Sequence, residues 1–145
     1  MTIVTTLSLS QANQIIESAL QKSGSAGYKP MAVVVLDASG DIRAVQRQDG
    51  ASMFRVDVAK GKAWGAVAMG CSSRLLAQRA KDNPNFFLSL AATSNGRFLP
   101  QPGAVLIRTA TGEVLGAVGA SGGTGDEDEL ICMHGVQTTG LVTGD

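Results

Sequence analysis

A chain of 145 residues is long enough to bury a core as one domain without disulfide or metal staples. Its twelve basic and twelve acidic residues cancel, and no stretch is strongly basic, which argues against nucleic acid and anionic membrane as partners. Eighteen glycines against few aromatics point to packing by close backbone approach, within or between subunits. Cys71 and Cys132 form no C-x-x-C pair, so two free thiols and a reducing compartment are the expectation. The amino-terminal stretch MTIVTTLSLSQANQ lacks a basic region followed by a long apolar run, and no segment approaches the roughly 18 apolar residues of a membrane span. A cytoplasmic protein is expected.

In chain order, Ser8 and Gln11 have the spacing of a capping box, and Leu9, Ala12, Ile15, Ile16, Ala19 and Leu20 recur at helical spacing up to Gly24 and Gly27. Residues 31–36 form a valine-rich run bounded by Pro30 and by Asp37-Ala38-Ser39-Gly40, which predicts a buried strand; residues 41–47 return as its hairpin partner. Ser52 is placed to cap a helix over residues 53–69, kept thin by Gly61, Gly65, Ala66 and Ala68. Ser72 or Ser73 starts a shorter helix, and Asn83-Pro84 starts another carrying Phe86, Phe87, Leu88 and Leu90. Residues 104–108 and 113–120 form a second hairpin around Thr109-Ala110-Thr111-Gly112, and Thr124 with Glu127 marks a second capping box before a helix to about Gln137. Residues 139–145 read as a flexible tail of one domain over 1–145. The order helix, hairpin, helices, hairpin, helix predicts an α+β domain with an antiparallel sheet of four or five strands.

The candidate chemistry concentrates near the carboxy-terminal helix. Ser121-Gly122-Gly123-Thr124 looks like an anion-binding loop at a helix N-terminus, yet it has neither P-loop nor dinucleotide spacing and runs into the acids 126–129. The acids read as partners of the helix dipole and make a phosphate ligand unfavourable. They supply two convergent oxygens at most, so no metal site is expected. His134 is the only histidine; its roles are general base, haem-iron ligand or helix-end residue, with Tyr28 and Met133 as weaker iron-ligand candidates. Cys132 and His134 point about 200° apart on a helix and make no catalytic pair. Arg47, Lys60, Lys62 and Arg97 are candidates to gather around an acidic small molecule.

The segments VVVLDASGDIRAVQRQDGA, DVAKGKAWGAV, FLPQPGAVLIR and ATGEVLGAVGASGGTGDEDE together resemble the GlcG/HbpS family, also found as the carboxy-terminal domain of PduO-type proteins, over nearly the whole chain. The resemblance implies a five-stranded antiparallel sheet flanked by helices, homo-oligomers that are often octamers, and in some members haem binding or links to corrinoid metabolism. The chain departs from the family in having Ala104 and Leu106 in a segment where glycine and proline are usual, and no histidine before His134. Two functions follow. The first is a homo-oligomeric module that binds a small ligand or cofactor, haem among them, with Phe98, Pro100 and Gly103 as one wall of its pocket. Ser121, Gly122, Gly123 and Thr124 form the other, and Arg47 or Lys62 is available to a carboxylate. The second is a cofactor-independent isomerase, hydrolase or lyase acting on a small organic acid, as from aromatic catabolism. In that reading His134 or Glu129 moves the proton and N–H groups near Gly122-Gly123 steady an oxyanion.

Overall fold

The computed structural model describes residues 6–144; residues 1–5 and 145, the two ends of the expected domain, lie outside the described residues. The described elements are α1 (Leu9–Ala26), β1 (Ala32–Asp37), β2 (Ile42–Arg47), α2 (Phe54–Met69), α3 (Ser73–Asp82), α4 (Pro84–Thr93), β3 (Ala104–Arg108), β4 (Val114–Ser121) and α5 (Gly125–Thr138). No helix among the described residues is long and apolar enough to cross a membrane.

Two hairpins, β1–β2 and β3–β4, join through antiparallel pairing of β1 with β4, giving the order β2-β1-β4-β3. The apolar runs are continuous because both faces of the central strands are covered. Val33 and Val35 of β1, Val105 and Ile107 of β3, and Val118 and Ala120 of β4 point toward α1 and α5, where Ile15, Ile16, Ile131 and Val136 close the larger core. The alternate residues Val34, Leu36, Ala104, Leu106 and Ala117 meet Ala59, Ala63 and Ala66 of α2 on the other face. A smaller cluster of Cys71, Leu76, Phe87 and Phe98 ties α3 and α4 to the back of α2. The glycines that keep α2 thin serve packing within the chain. A Cβ on Gly61 would stand 2.9 Å from that of Leu99, and one on Gly65 would stand 3.1 Å from the Phe98 ring.

Among the described residues the sheet has four strands, not the five that the resemblance implies. On the outer edge of β3, Val142 exchanges backbone hydrogen bonds with Arg108 at 2.8 and 3.0 Å, but Gly140 turns the chain just before it, and a single bridge is too short to form a strand. The expected tail therefore includes a residue paired to the sheet edge.

Both capping boxes are present: Ser8 and Gln11 bond reciprocally at α1, as do Thr124 and Glu127 at α5. Ser72, rather than Ser73, caps α3. Two expected caps are absent. Ser52 lies one residue too early, its carbonyl accepting from the Arg55 N–H in a turn, so Met53 occupies the cap position with no side-chain bond. Asn83 also terminates α3, donating its N–H to the Arg79 carbonyl, and in that conformation its side chain does not cap α4; Pro84 alone marks that start.

Candidate functional site

The elbow between β4 and α5 is a close backbone crossing. Gly122 has φ +147°, and a Cβ there would lie 2.2 Å from the Pro30 carbonyl oxygen, so only glycine fits. Its neighbours' N–H groups are already engaged. The Gly123 N–H donates to Asp128 Oδ1 at 3.0 Å and the Thr124 N–H to Glu127 Oε1 at 2.9 Å. Carboxylates of α5 thus occupy the places an external anion would take, which is why an anion-loop sequence runs straight into acids. The Gly123 N–H, expected near an oxyanion, is committed to the Asp128 carboxylate.

Asp128 has a second role. It is 2% exposed, and its Oδ2 accepts from Lys62 Nζ at 2.9 Å, while Lys62, 5% exposed, also donates to the Ala120 carbonyl at 3.1 Å. Burial, the largest influence, pushes the Asp128 carboxyl above its ordinary value, against the opposing pull of Lys62 and the Gly123 N–H. Gly103 makes room for this pair: a Cβ there would stand 2.6 Å from Lys62 Nζ. Lys62 thus fills the space between the two expected pocket walls, and its ammonium is engaged within the chain. The signal for a partner lay in its position beside Ala59, Ala63 and Ala66 on the sheet-facing side of α2, where an unpaired charge is costly. That the partner is Asp128, 66 residues away, has no local signature. Arg55, also absent from the sequence candidates, reaches the elbow with Nη1 3.4 Å from Ser121 Oγ.

The remaining wall residues are dispersed. Phe98 is buried against Phe87, with ring centroids 5.6 Å apart, and Pro100 is half-buried in the following turn. Arg47 is exposed on β2, donates to the Ala51 carbonyl, and faces a separate depression with Tyr28, Pro30 and Asp49.

His134 and Glu129, by contrast, share a groove. An open depression of about 420 Å³ along α5 is lined by Lys22, Arg74, Glu129, Leu130, Met133 and His134 among others. Glu129 accepts from Arg74 Nε at 3.0 and 3.2 Å, and Arg74 pairs with Asp126 as well, so two of the acids read as partners of the helix dipole also hold an arginine from α3. Among the described residues no group of three histidine, cysteine or acidic side chains converges. The half-buried His134 imidazole takes part in no hydrogen bond or ion pair among the described residues, and beside it Leu130 is 42% exposed. The groove lining therefore includes an imidazole, a thioether and an exposed leucine together with Lys22.

Cys132, one residue before Met133, faces the opposite way. It is fully buried, its Sγ lies 3.6 Å from the Gly103 carbonyl that accepts from it, and burial pushes its thiol far up. Cys71 is buried too. Titration of the native protein with a thiol-reactive disulfide reagent is expected to read close to zero, rising to both cysteines after denaturation; rapid reaction in the native state would contradict this burial.

Comparison with known proteins adds context to this geometry. The family model described as haem-degrading protein HbpS-like matches residues 7–137. A crystal structure of a PduOC–haem complex superposes with a TM-score of 0.86 at 23% identity, covering 97% of this chain and 100% of that one. HbpS from Streptomyces reticuli, as a double mutant, superposes at 0.80 with 27% identity over 95% of this chain and 90% of its own. A 15.0 kDa protein from the dhaT–dhaS intergenic region of Citrobacter freundii is 25% identical over 128 residues, 88% of each chain.

Proposed function

The chain belongs to the GlcG/HbpS family, and from that membership we propose that it is a ligand-binding module that takes haem in the groove along α5. The observation that carries this reading is the half-buried His134 ring, unpartnered among the described residues and set beside Met133 and exposed Leu130. Of the side chains that commonly ligate haem iron, an imidazole and a thioether thus line one groove, whereas both thiols are buried. The donor set fits. His134 would hold the iron, Met133 and Leu130 would offer the macrocycle apolar contact, and Lys22 would meet a propionate. Haem bound there would supply a redox-active iron; the chain's own contribution is to hold and orient it.

Proton transfer on a small organic acid draws less support, because Glu129 is held by Arg74 and the Gly123 N–H by Asp128. Self-association, as an octamer, belongs to the proposal and is supported by the exposed apolar side chains Phe54, at 61%, and Leu88, at 73%. Cys71 and Cys132, both buried and outside any disulfide, support action in the cytoplasm.

Titration of the full chain with ferric haem is expected to give a saturable Soret change that weakens at least tenfold in His134→Ala and less in Met133→Leu. An unchanged titration in His134→Ala would overturn His134 as the ligand; no saturable change in the wild type would overturn haem.

A further inference from the structure

A second pocket lies on the other side of the molecule from the α5 groove, across the sheet. Of the four basic residues that the sequence singles out, Lys60 and Arg97 meet here. With Asp57, Gly61, Trp64, Gly96 and Leu99 they line a cleft of about 250 Å³ between α2 and the segment after α4. Arg97 is held in place. Its Cζ stands 4.4 Å from the centre of the Trp64 ring, and its Nε donates to the Ser94 carbonyl at 2.8 Å. The turn that delivers it has two successive left-handed residues, Asn95 at φ +56° and Gly96 at φ +75°. Beyond it, the Leu99 N–H bonds the Gly61 carbonyl at 3.3 Å, an approach permitted by the missing side chain of Gly61. A guanidinium fixed this way loses little freedom on gaining a ligand.

The charged side chains of this cleft are not paired within the chain. Those of Lys60 and Asp57 make no ion pair or hydrogen bond among the described residues, and Arg97 forms no salt bridge there. Two cations and one carboxylate therefore face one small cleft, leaving a net positive charge that a bound monoanion offsets. Half-buried Trp64 and Leu99 offer apolar contact, and Asp57 offers an acceptor for a hydroxyl group. At ~30 Å³ per water, the volume corresponds to roughly eight waters, or a ligand of about five to eight non-hydrogen atoms.

We propose that this cleft binds a small hydroxycarboxylate, its carboxylate between Lys60 and Arg97, its hydroxyl donating to Asp57 and its carbon skeleton on Trp64. The site is independent of the α5 groove and stands or falls separately from haem binding. Trp64 is the chain's only tryptophan and reports directly on it.

Lactate titrated into the full chain at constant ionic strength is expected to change the Trp64 emission saturably, and lactamide, its neutral counterpart, is expected to leave it unchanged. Lys60→Met and Arg97→Gln should each weaken the lactate response at least tenfold, while Lys81→Met, on α3, should not. Asp57→Asn should abolish the preference for lactate over propionate. All four positions line a surface cleft or an outer helix face, and unchanged circular dichroism melting would show that each variant is folded. Equal responses to lactate and lactamide, a response that does not saturate, or undiminished binding in both Lys60→Met and Arg97→Gln would overturn the proposal.

Discussion

Asp128→Ala is expected to lower unfolding free energy by about 3–5 kcal/mol, the range for removing one partner of a buried ion pair. The alanine would leave Lys62, 5% exposed, with only the Ala120 carbonyl, and would release the Gly123 N–H that Asp128 also holds. Most of the loss is the cost of an uncompensated ammonium, so Lys62→Met combined with Asp128→Leu should recover most of it. Urea denaturation of the three proteins gives the comparison; a double variant no more stable than Asp128→Ala would show that the pair itself, not the stranded charge, is what matters.

Gly119→Ala is expected to cost about 3 kcal/mol or more, the upper end of the range for overpacking. Gly119 sits in the middle of β4 on the face toward α2, paired with Val34 on one side and Ala104 on the other. A Cβ there would lie 2.3 Å from the Ala59 carbonyl oxygen and 3.2 Å from both the N and Cβ of Ala63. Two of those atoms are backbone, so relief requires α2 to move off the sheet, loosening Val34, Leu106 and Ala117 beneath it. Gly24→Ala is the matched control. It lies within α1, nothing stands within 4 Å of its added Cβ, and helix propensity alone should make it stabilising by about 0.5–1 kcal/mol. Thermal melts of both variants test the contrast, and a Gly119→Ala protein as stable as the wild type would mean that α2 packs less tightly than this geometry requires.

Much of the architecture was legible because its signals are local. Ser8 with Gln11 and Thr124 with Glu127 mark two helix starts by spacing alone, and the valine run before Asp37-Ala38-Ser39-Gly40 marks a strand and turn without reference to anything distant. The strand count was less legible, since pairing of Val142 with Arg108 depends on how the segment after α5 falls against an edge 34 residues earlier. The site was harder still. A run of four acids invites one explanation, yet the carboxylates divide among three roles: Glu127 closes the capping box, Asp128 is buried with Lys62, and Asp126 and Glu129 hold Arg74. Only the first of these is encoded by neighbouring residues. Likewise, Lys60 and Arg97 share a cleft while Arg47 and Lys62 do not, a distinction made by tertiary packing and invisible in residue type.

The placement of the ligand on α5 has one direct test. Isotope-labelled full chain should be titrated with ferric haem while its amide resonances are followed for paramagnetic broadening. Resonances of Lys22, Leu130, Met133 and His134 are expected to broaden first, while those around Arg47 and Trp64 stay sharp. Broadening centred on any other face, or none in the presence of haem, would contradict that placement.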